Sequence, residues 1–341
     1  MTYSFRNDYS EGAHPKVLQA LVDTNLTQTV GYGHDPFCAD ARDAIRALCA
    51  APDADVHFLV GGTQTNLVVI DSVLRPYEAV ISAHTGHVNV HETGAIEATG
   101  HKVCTVLSPD GKLTPELVES VVNGHSSEHM VLPRLVYISD TTEIGTVYTK
   151  AELEALRECC DKHDLFLFLD GARLASALTS PENDMTLSDL AALTDAFYIG
   201  GTKNGALFGE AVIFRAPNAH FRWHMKQRGA ILAKGRLLGV QFRTLMQDGL
   251  YFELARHAND MAFRLRDGIA ALGYPFPVPS ASNQQFPVLP DRVVEQLNAM
   301  GYEFEIDHKA DETHTCVRFV TSWATPVEAV DRFLADLSTC Q

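Results

Sequence analysis

Lys203 stands in the run Gly200-Gly-Thr-Lys-Asn-Gly205, among three glycines and with no other charged residue in the run. Desolvation by small, uncharged neighbours disfavours the ammonium and favours the neutral amine, the form that attacks a carbonyl to make a Schiff base. Asp170 ends Leu165-Phe-Leu-Phe-Leu169 and is followed by Gly171-Ala-Arg173. A carboxylate closing a wholly apolar run is partly desolvated and seeks a cation, such as a protonated pyridine nitrogen. In Gly61-Gly-Thr-Gln-Thr-Asn66 the glycines let the backbone approach a ligand closely. Free N–H groups at a helix start, with the Thr63 hydroxyl beside them, suit a phosphate. The run lacks the spacing and lysine of a Walker loop, and it is not the dinucleotide fingerprint. Each feature also has a plainer reading: a turn with a helix cap at Gly62-Thr63, a helix cap at Asp170, and a solvated loop lysine at Lys203.

The elements that must position these residues alternate along the chain. Apolar runs predict strands at Val56–Val60, Ala79–Ala83, Lys102–Leu107, Leu135–Ser139, Leu165–Leu169, Ala196–Ile199 and Ala211–Phe214. Several are apolar at every position, as strands buried on both faces must be. Helical patterns lie between them, such as Leu67–Leu74, and Thr149–Lys162 after a Thr149-x-x-Glu152 capping box. The alternation predicts an α/β fold with a mostly parallel sheet covered on both faces, whose ligands sit beyond the carboxyl ends of the strands. Gly235–Leu272 reads as a long helical stretch with a break near Asp248-Gly249, and Pro275, Pro277 and Pro279 mark a turn-rich linker. Beyond them come strand Gln285–Leu289, helix Arg292–Met300, strands Tyr302–Ile306 and Cys316–Val320, and helix Val327–Leu337. The expected division is an N-terminal arm over 1–14, a large α/β domain over 15–250 and a small C-terminal α+β domain over 251–341.

A length of 341 residues is compatible with two such domains. With 46% hydrophobic and 21% charged residues the chain has the make-up of a globular protein, and no apolar run approaches the ~20 residues of a membrane helix. A net charge of -16 disfavours a nucleic-acid surface. The seven cysteines are scattered, without a Cys-x-x-Cys pair, and predict buried thiols in a reducing cytoplasm with no zinc site. The first residues lack the pattern of a signal peptide.

A phosphate loop, then a strand-terminal Asp, then a lysine about thirty residues later is the order found in fold-type I enzymes of pyridoxal phosphate (PLP). Over nearly its whole length the chain resembles the threonine aldolase branch of the β-eliminating lyase family. The matching pieces are Arg6-Asn-Asp8, Val30-Gly-Tyr-Gly-His-Asp-Pro36, Gly62-Thr-Gln-Thr-Asn66, Ala83–Ala95, Leu169-Asp-Gly-Ala-Arg-Leu174, Thr202-Lys-Asn-Gly205 and Val317-Arg-Phe-Val-Thr-Ser322. The resemblance implies that Lys203 carries PLP as a Schiff base, that Asp170 binds its pyridine nitrogen, and that Gly62 and Thr63 bind its phosphate. It implies that His87 stacks on the ring, while His84 and His91 are read as structural or surface groups. Arg173 and Arg318 match the residues that hold a substrate carboxylate, and Tyr32 matches a site tyrosine that reaches in from a neighbouring subunit. Arg228, in Lys226-Gln-Arg-Gly229, resembles a basic segment near the phosphate. A homodimer or homotetramer with sites at the subunit interface is the assembly implied.

Two departures stand out. Asn7 replaces a family serine that helps bind carboxylate, and can still donate a hydrogen bond. Ser139-Asp-Thr-Thr-Glu143 replaces Glu-Asn-Thr-His-Asn, leaving Thr142 where the family has a second histidine, and a threonine cannot titrate near neutrality. The expected reaction is retro-aldol cleavage of L-threonine, L-allo-threonine or related β-hydroxy-α-amino acids to glycine and an aldehyde. His87 is the first candidate for the base, followed by Glu92 and the cofactor phosphate. A β-eliminating amino-acid lyase or an aminotransferase on the same scaffold is the alternative, and a cofactor-free α/β binding protein is a further one.

Overall fold

The computed structural model describes residues 2–340; Met1 and Gln341, at the ends of the expected arm and small domain, lie outside the described residues. Seven strands form the large sheet: β1 (Asp55–Leu59), β2 (Glu78–Ala83), β3 (Val103–Val106), β4 (Leu132–Ser139), β5 (Phe166–Asp170), β6 (Ala196–Gly200) and β7 (Glu210–Phe214). Their spatial order is β1-β7-β6-β5-β4-β2-β3. Only β7 runs against its neighbours, β1 and β6; the remaining pairs are parallel.

The apolar strands are buried because both faces of the sheet are covered. Val136, Ile138, Leu167 and Leu169 enter one apolar layer, while Leu135, Tyr137 and Phe168 enter the other, the period-two alternation of a strand. Helix Lys150–His163 begins on the expected reciprocal cap, in which the Thr149 hydroxyl accepts from the Glu152 amide and the Glu152 carboxylate accepts from the Thr149 amide. The helix expected over Leu67–Leu74 begins earlier, at Gly62, and ends at Val73, so the glycine-rich run is its first turn. Helices Pro15–Thr24 and Pro36–Leu48, each opening on proline, precede the sheet.

The long helical stretch breaks where expected. One helix ends at Leu245 and the next runs Leu250–Ala271, with Asp248 and Gly249 both at positive φ between them. Leu250 and Leu254 of the second helix pack into the large-sheet core, whereas Leu265 and Ile269 belong to a separate apolar cluster with Phe5, Val293, Phe319 and Phe333. That cluster underlies a small antiparallel sheet of β8 (Gln284–Gln285), β9 (Val288–Pro290), β10 (Glu305–Lys309) and β11 (His314–Val320).

Two sequence expectations need correction here. The single strand Gln285–Leu289 is instead the pair β8 and β9, separated at Phe286-Pro287, where proline has no N–H to give a ladder. The strand expected at Tyr302–Ile306 begins at Glu305. The chain before it pairs with the N-terminal arm, with Glu303 O accepting from Phe5 N at 2.8 Å.

All seven cysteines are free and buried. Among the described residues no helix is long and apolar enough to cross a membrane.

Candidate active site

A cavity of about 770 Å³ opens beyond the carboxyl ends of the parallel strands. Gly61 and Thr63 follow β1, His84 and His87 follow β2, Ser139 ends β4 and Glu143 lies in the loop after it, and Asp170 ends β5. Lys203 sits in the turn between β6 and β7, and Arg318 reaches in from β11 of the small sheet.

Asp170 is held from four directions. Its Oδ2 accepts from Tyr137 Oη at 2.5 Å and from Asn66 Nδ2 at 2.9 Å. Its Oδ1 accepts from Tyr198 Oη and from the Ala172 amide at 2.9 Å. Register explains the two tyrosines: Ser139 pairs Asp170 and Tyr137 pairs Phe168, so Tyr137 and Asp170 share a face of the sheet. Burial alone would raise the Asp170 pKa, but His87, the two hydroxyls and the amide outweigh it and hold the carboxyl below its usual range. Burial, with the Asp170 charge next, drives both tyrosines well above the ordinary phenol range, so they remain donors.

Asn66 also donates to Glu92 Oε1 at 2.7 Å, and the same oxygen lies 2.7 Å from His87 Nδ1. A continuous chain therefore runs His87–Glu92–Asn66–Asp170. Glu92 is buried and its Oε1 serves two partners.

Burial, then the neighbouring Arg173, lowers the Lys203 pKa and favours its neutral amine, against the charges of Asp8, Asp170 and Glu210. Glu210, at the start of β7, accepts from Thr202 Oγ1 at 2.8 Å and from the Gly201 amide at 3.1 Å, and burial raises its pKa.

The two arginines differ. Asp8 grips Arg173 in a fork, with Nε to Oδ2 at 2.8 Å and Nη2 to Oδ1 at 3.1 Å, and Asn283 Nδ2 donates to the same carboxylate at 3.0 Å. Arg318 keeps a buried Nε with no hydrogen-bond partner among the described residues. Thr85 Oγ1 and Thr141 Oγ1, from two other cavity residues, are likewise buried without partners.

Helix Gly62–Val73 starts with no side-chain cap, leaving its first amides for a ligand. A side chain at Gly62 would put a Cβ 3.2 Å from the Tyr198 hydroxyl that holds Asp170, so glycine keeps this wall thin. These features fit PLP: bare helix amides for a phosphate, an ionised Asp170 for a pyridinium, a lysine biased toward its neutral amine, and polar atoms awaiting partners. Lys203, Asp170, Gly62, Thr63 and His87 are the residues that would hold it.

Of the residues singled out in the sequence, Lys203, Asp170, His87, Gly62, Thr63, Arg173 and Arg318 come together at this cavity. Three lie elsewhere in the chain's own structure. Arg228 is engaged with Asp71 on helix Gly62–Val73, at 3.1 and 3.0 Å. Tyr32 is 49% exposed, with Lys226 Nζ 5.1 Å from its ring centre. Asn7 turns its Oδ1 to the Tyr9 amide and the Ser10 hydroxyl, and the arm residue that reaches Arg173 is Asp8. His84 and His91, set aside in the sequence, both line the cavity.

Sequence reasoning missed Tyr137, Tyr198, Asn66, Asp8 and Glu143. Each tyrosine interrupts an otherwise aliphatic or phenylalanine-rich strand two residues before its end, which was a visible signal. The pairing of Asp8 with Arg173 spans 165 positions and left no local mark.

A sequence model of β-eliminating lyases matches residues 5–291. The low specificity L-threonine aldolase of Pseudomonas aeruginosa is 31% identical, over 98% of this chain and 97% of that protein. That of Saccharomyces cerevisiae is 26% identical, over 82% and 72%. A solved structure of Leishmania major threonine aldolase is 52% identical and superposes with a TM-score of 0.97, covering 98% of each chain. A Thermus thermophilus aspartate aminotransferase, 17% identical, shares the fold with a TM-score of 0.72 over 98% of this chain and 90% of that one. The chain belongs to the β-eliminating lyase family.

Proposed function

We propose that this protein is a PLP-dependent carbon–carbon lyase that cleaves L-threonine, L-allo-threonine and related β-hydroxy-α-amino acids to glycine and an aldehyde. The observation that carries the reading is the convergence of Lys203, Asp170 and the Arg173–Arg318 pair on one cavity. The aldolases named above, alike over nearly the whole chain, support the substrate class.

Bound there, the cofactor supplies a ring that takes up the electron pair left on Cα when the Cα–Cβ bond breaks. Lys203 would hold it through its ε-amine, which burial biases toward the neutral form. Asp170 stays ionised through its four donors and so keeps a partner charge for a ring nitrogen. His87, tied at Nδ1 to Glu92, would lie against the ring, and the uncapped amides at Gly62 and Thr63 would hold the phosphate. Arg318 offers its unpartnered Nε to the substrate carboxylate, beside an Arg173 already oriented by Asp8. A fork of this kind fixes the carboxylate and therefore the direction of the Cβ substituent.

Product analysis tests the reading. Incubation with L-threonine, L-allo-threonine, phenylserine and serine should give glycine with the matching aldehyde. Ammonia with a keto acid would instead establish elimination, and amine transfer an aminotransferase.

We further infer a homodimer or homotetramer with sites at the subunit interface, to which Tyr32 and Arg228 would contribute from a neighbouring copy. The exposed apolar residues Leu18, Val22, Leu26 and Val30 support such a contact, and sedimentation velocity tests it. The free cysteines support a cytoplasmic, reducing location. We infer a division into an arm (1–14), a large domain (15–250) and a small domain (251–341). The separate cluster around Phe319 supports the small domain, while Leu254 still packs on the large one and Phe5 joins the arm to the small one.

A further inference from the structure

Thr142 occupies the place of the family's second histidine, and the structure removes it from the chemistry. It is buried, its hydroxyl is bonded to Thr146 Oγ1 at 2.7 Å and accepts from the Thr146 amide at 3.1 Å, closing a turn. The next residue, Glu143, faces the cavity together with Ser139, Thr141 and Ile144.

Its carboxylate is aimed. Oε1 accepts from Ser139 Oγ at 2.7 Å and from the His87 amide at 2.8 Å, and among the described residues no side chain donates to Oε2. One oxygen is thus an anchor and the other is free to take a proton. His87 is differently placed: its Nδ1 is tied to Glu92 in the chain that leads to Asp170, so it offers only Nε2, and a His87→Asn variant separates the two. We propose that Glu143 is the catalytic base that removes the β-hydroxyl proton, which rests on the aldolase reading given above.

The step balances without a further reactant. Glu143 Oε2 takes the hydroxyl proton, the O–H electrons form the aldehyde C=O, and the Cα–Cβ bond breaks. The bond's electron pair is left at Cα, where a proton from solvent completes glycine, and Glu143 returns the hydroxyl proton to solvent, so no net proton is gained or lost. Burial and the nearby Asp170 charge raise the Glu143 pKa, against the Ser139 hydrogen bond, which makes the carboxylate a stronger base than an exposed one.

The test separates this role from a structural one, because exchange of the glycine α-proton with solvent deuterium needs the whole site but no β-hydroxyl base. In the holoenzyme, Glu143→Gln keeps an oxygen to accept from Ser139 and the His87 amide. Its kcat for L-threonine cleavage should fall about 10²–10⁴-fold, while glycine exchange, followed by NMR, and the visible absorbance of the cofactor stay near wild type. Glu143→Asp, which withdraws the carboxylate by one methylene, should lose part of the cleavage rate and keep exchange, and decides the matter if the glutamine variant does not fold. Retained cleavage in Glu143→Gln, a parallel loss of cleavage and exchange, or the same split produced by His87→Asn instead would overturn the assignment. Wild-type protein that releases no glycine and aldehyde from threonine would overturn the aldolase reading itself, independently of either variant.

Discussion

Around Asp170 the protein is complete by itself: two tyrosine hydroxyls, an asparagine amide and a main-chain amide meet the carboxylate. Around Arg318, in the same cavity, a guanidinium N–H is buried with no acceptor. A buried donor left unmade costs about 1–3 kcal/mol, and more when charged. The Asp170 end therefore contributes to the fold before any ligand arrives, whereas the Arg318 end recovers its cost only when an anion binds. The difference separates a scaffold for a resident group from a receptor for a passing one.

Asp170→Ala should break the comparison most severely, by stranding four donors beneath the cavity. We expect a stability loss of about 3–5 kcal/mol, read as a lower denaturation midpoint, together with loss of the cofactor's visible absorbance. Arg318→Leu should do the opposite: stability is unchanged or slightly higher, because no internal hydrogen bond is lost. The KM for L-threonine should rise about 10- to 100-fold, as expected for losing a charge-assisted hydrogen bond. A midpoint that fell as far as in Asp170→Ala would erase the distinction. Tyr198→Phe, removing one donor of four, should weaken cofactor retention by about 1 kcal/mol, measured as a severalfold rise in the PLP dissociation constant.

Asp140 is the blemish on the finished wall. Its amide donates to Asp170 O, but its side chain is buried with Oδ2 unpartnered, and burial pushes its pKa up to about 8. The folded protein keeps a proton that the unfolded chain releases above about pH 4, so the stability penalty grows between pH 4 and 8 and then levels off. Asp140→Asn removes that penalty. Its Tm advantage over wild type should be absent at pH 4 and grow to roughly 5–10 degrees by pH 8; a gain independent of pH would contradict the assignment.

The sequence made the frame of this site legible because the frame is local. Lys203 between glycines, Asp170 at the end of an apolar run and a bare helix start at Gly62 are properties of short segments. The donors to Asp170 were harder to see, since Tyr137 and Tyr198 reach it only through the register of adjacent strands. Asp8 lies 165 positions from Arg173 and 275 from Asn283, distances at which a single sequence carries no pairing signal. Glu143 was obscured by the departure beside it: the missing histidine at Thr142 drew attention to a residue that the fold turns inward.

The N-terminal arm sets the order in which the molecule can be finished. Phe5 is fully buried among Phe319 and Phe333, and Asp8 completes its grip on Arg173 with help from Asn283. These residues are made before their partners: Arg173 follows Asp8 by 165 positions, and Asn283, Phe319 and Phe333 come about 300 residues after the arm. At about 5–20 residues per second, that interval is roughly 15–60 seconds. The arm is thus among the last parts to settle, and the carboxylate pocket comes into being only once the small domain has been made.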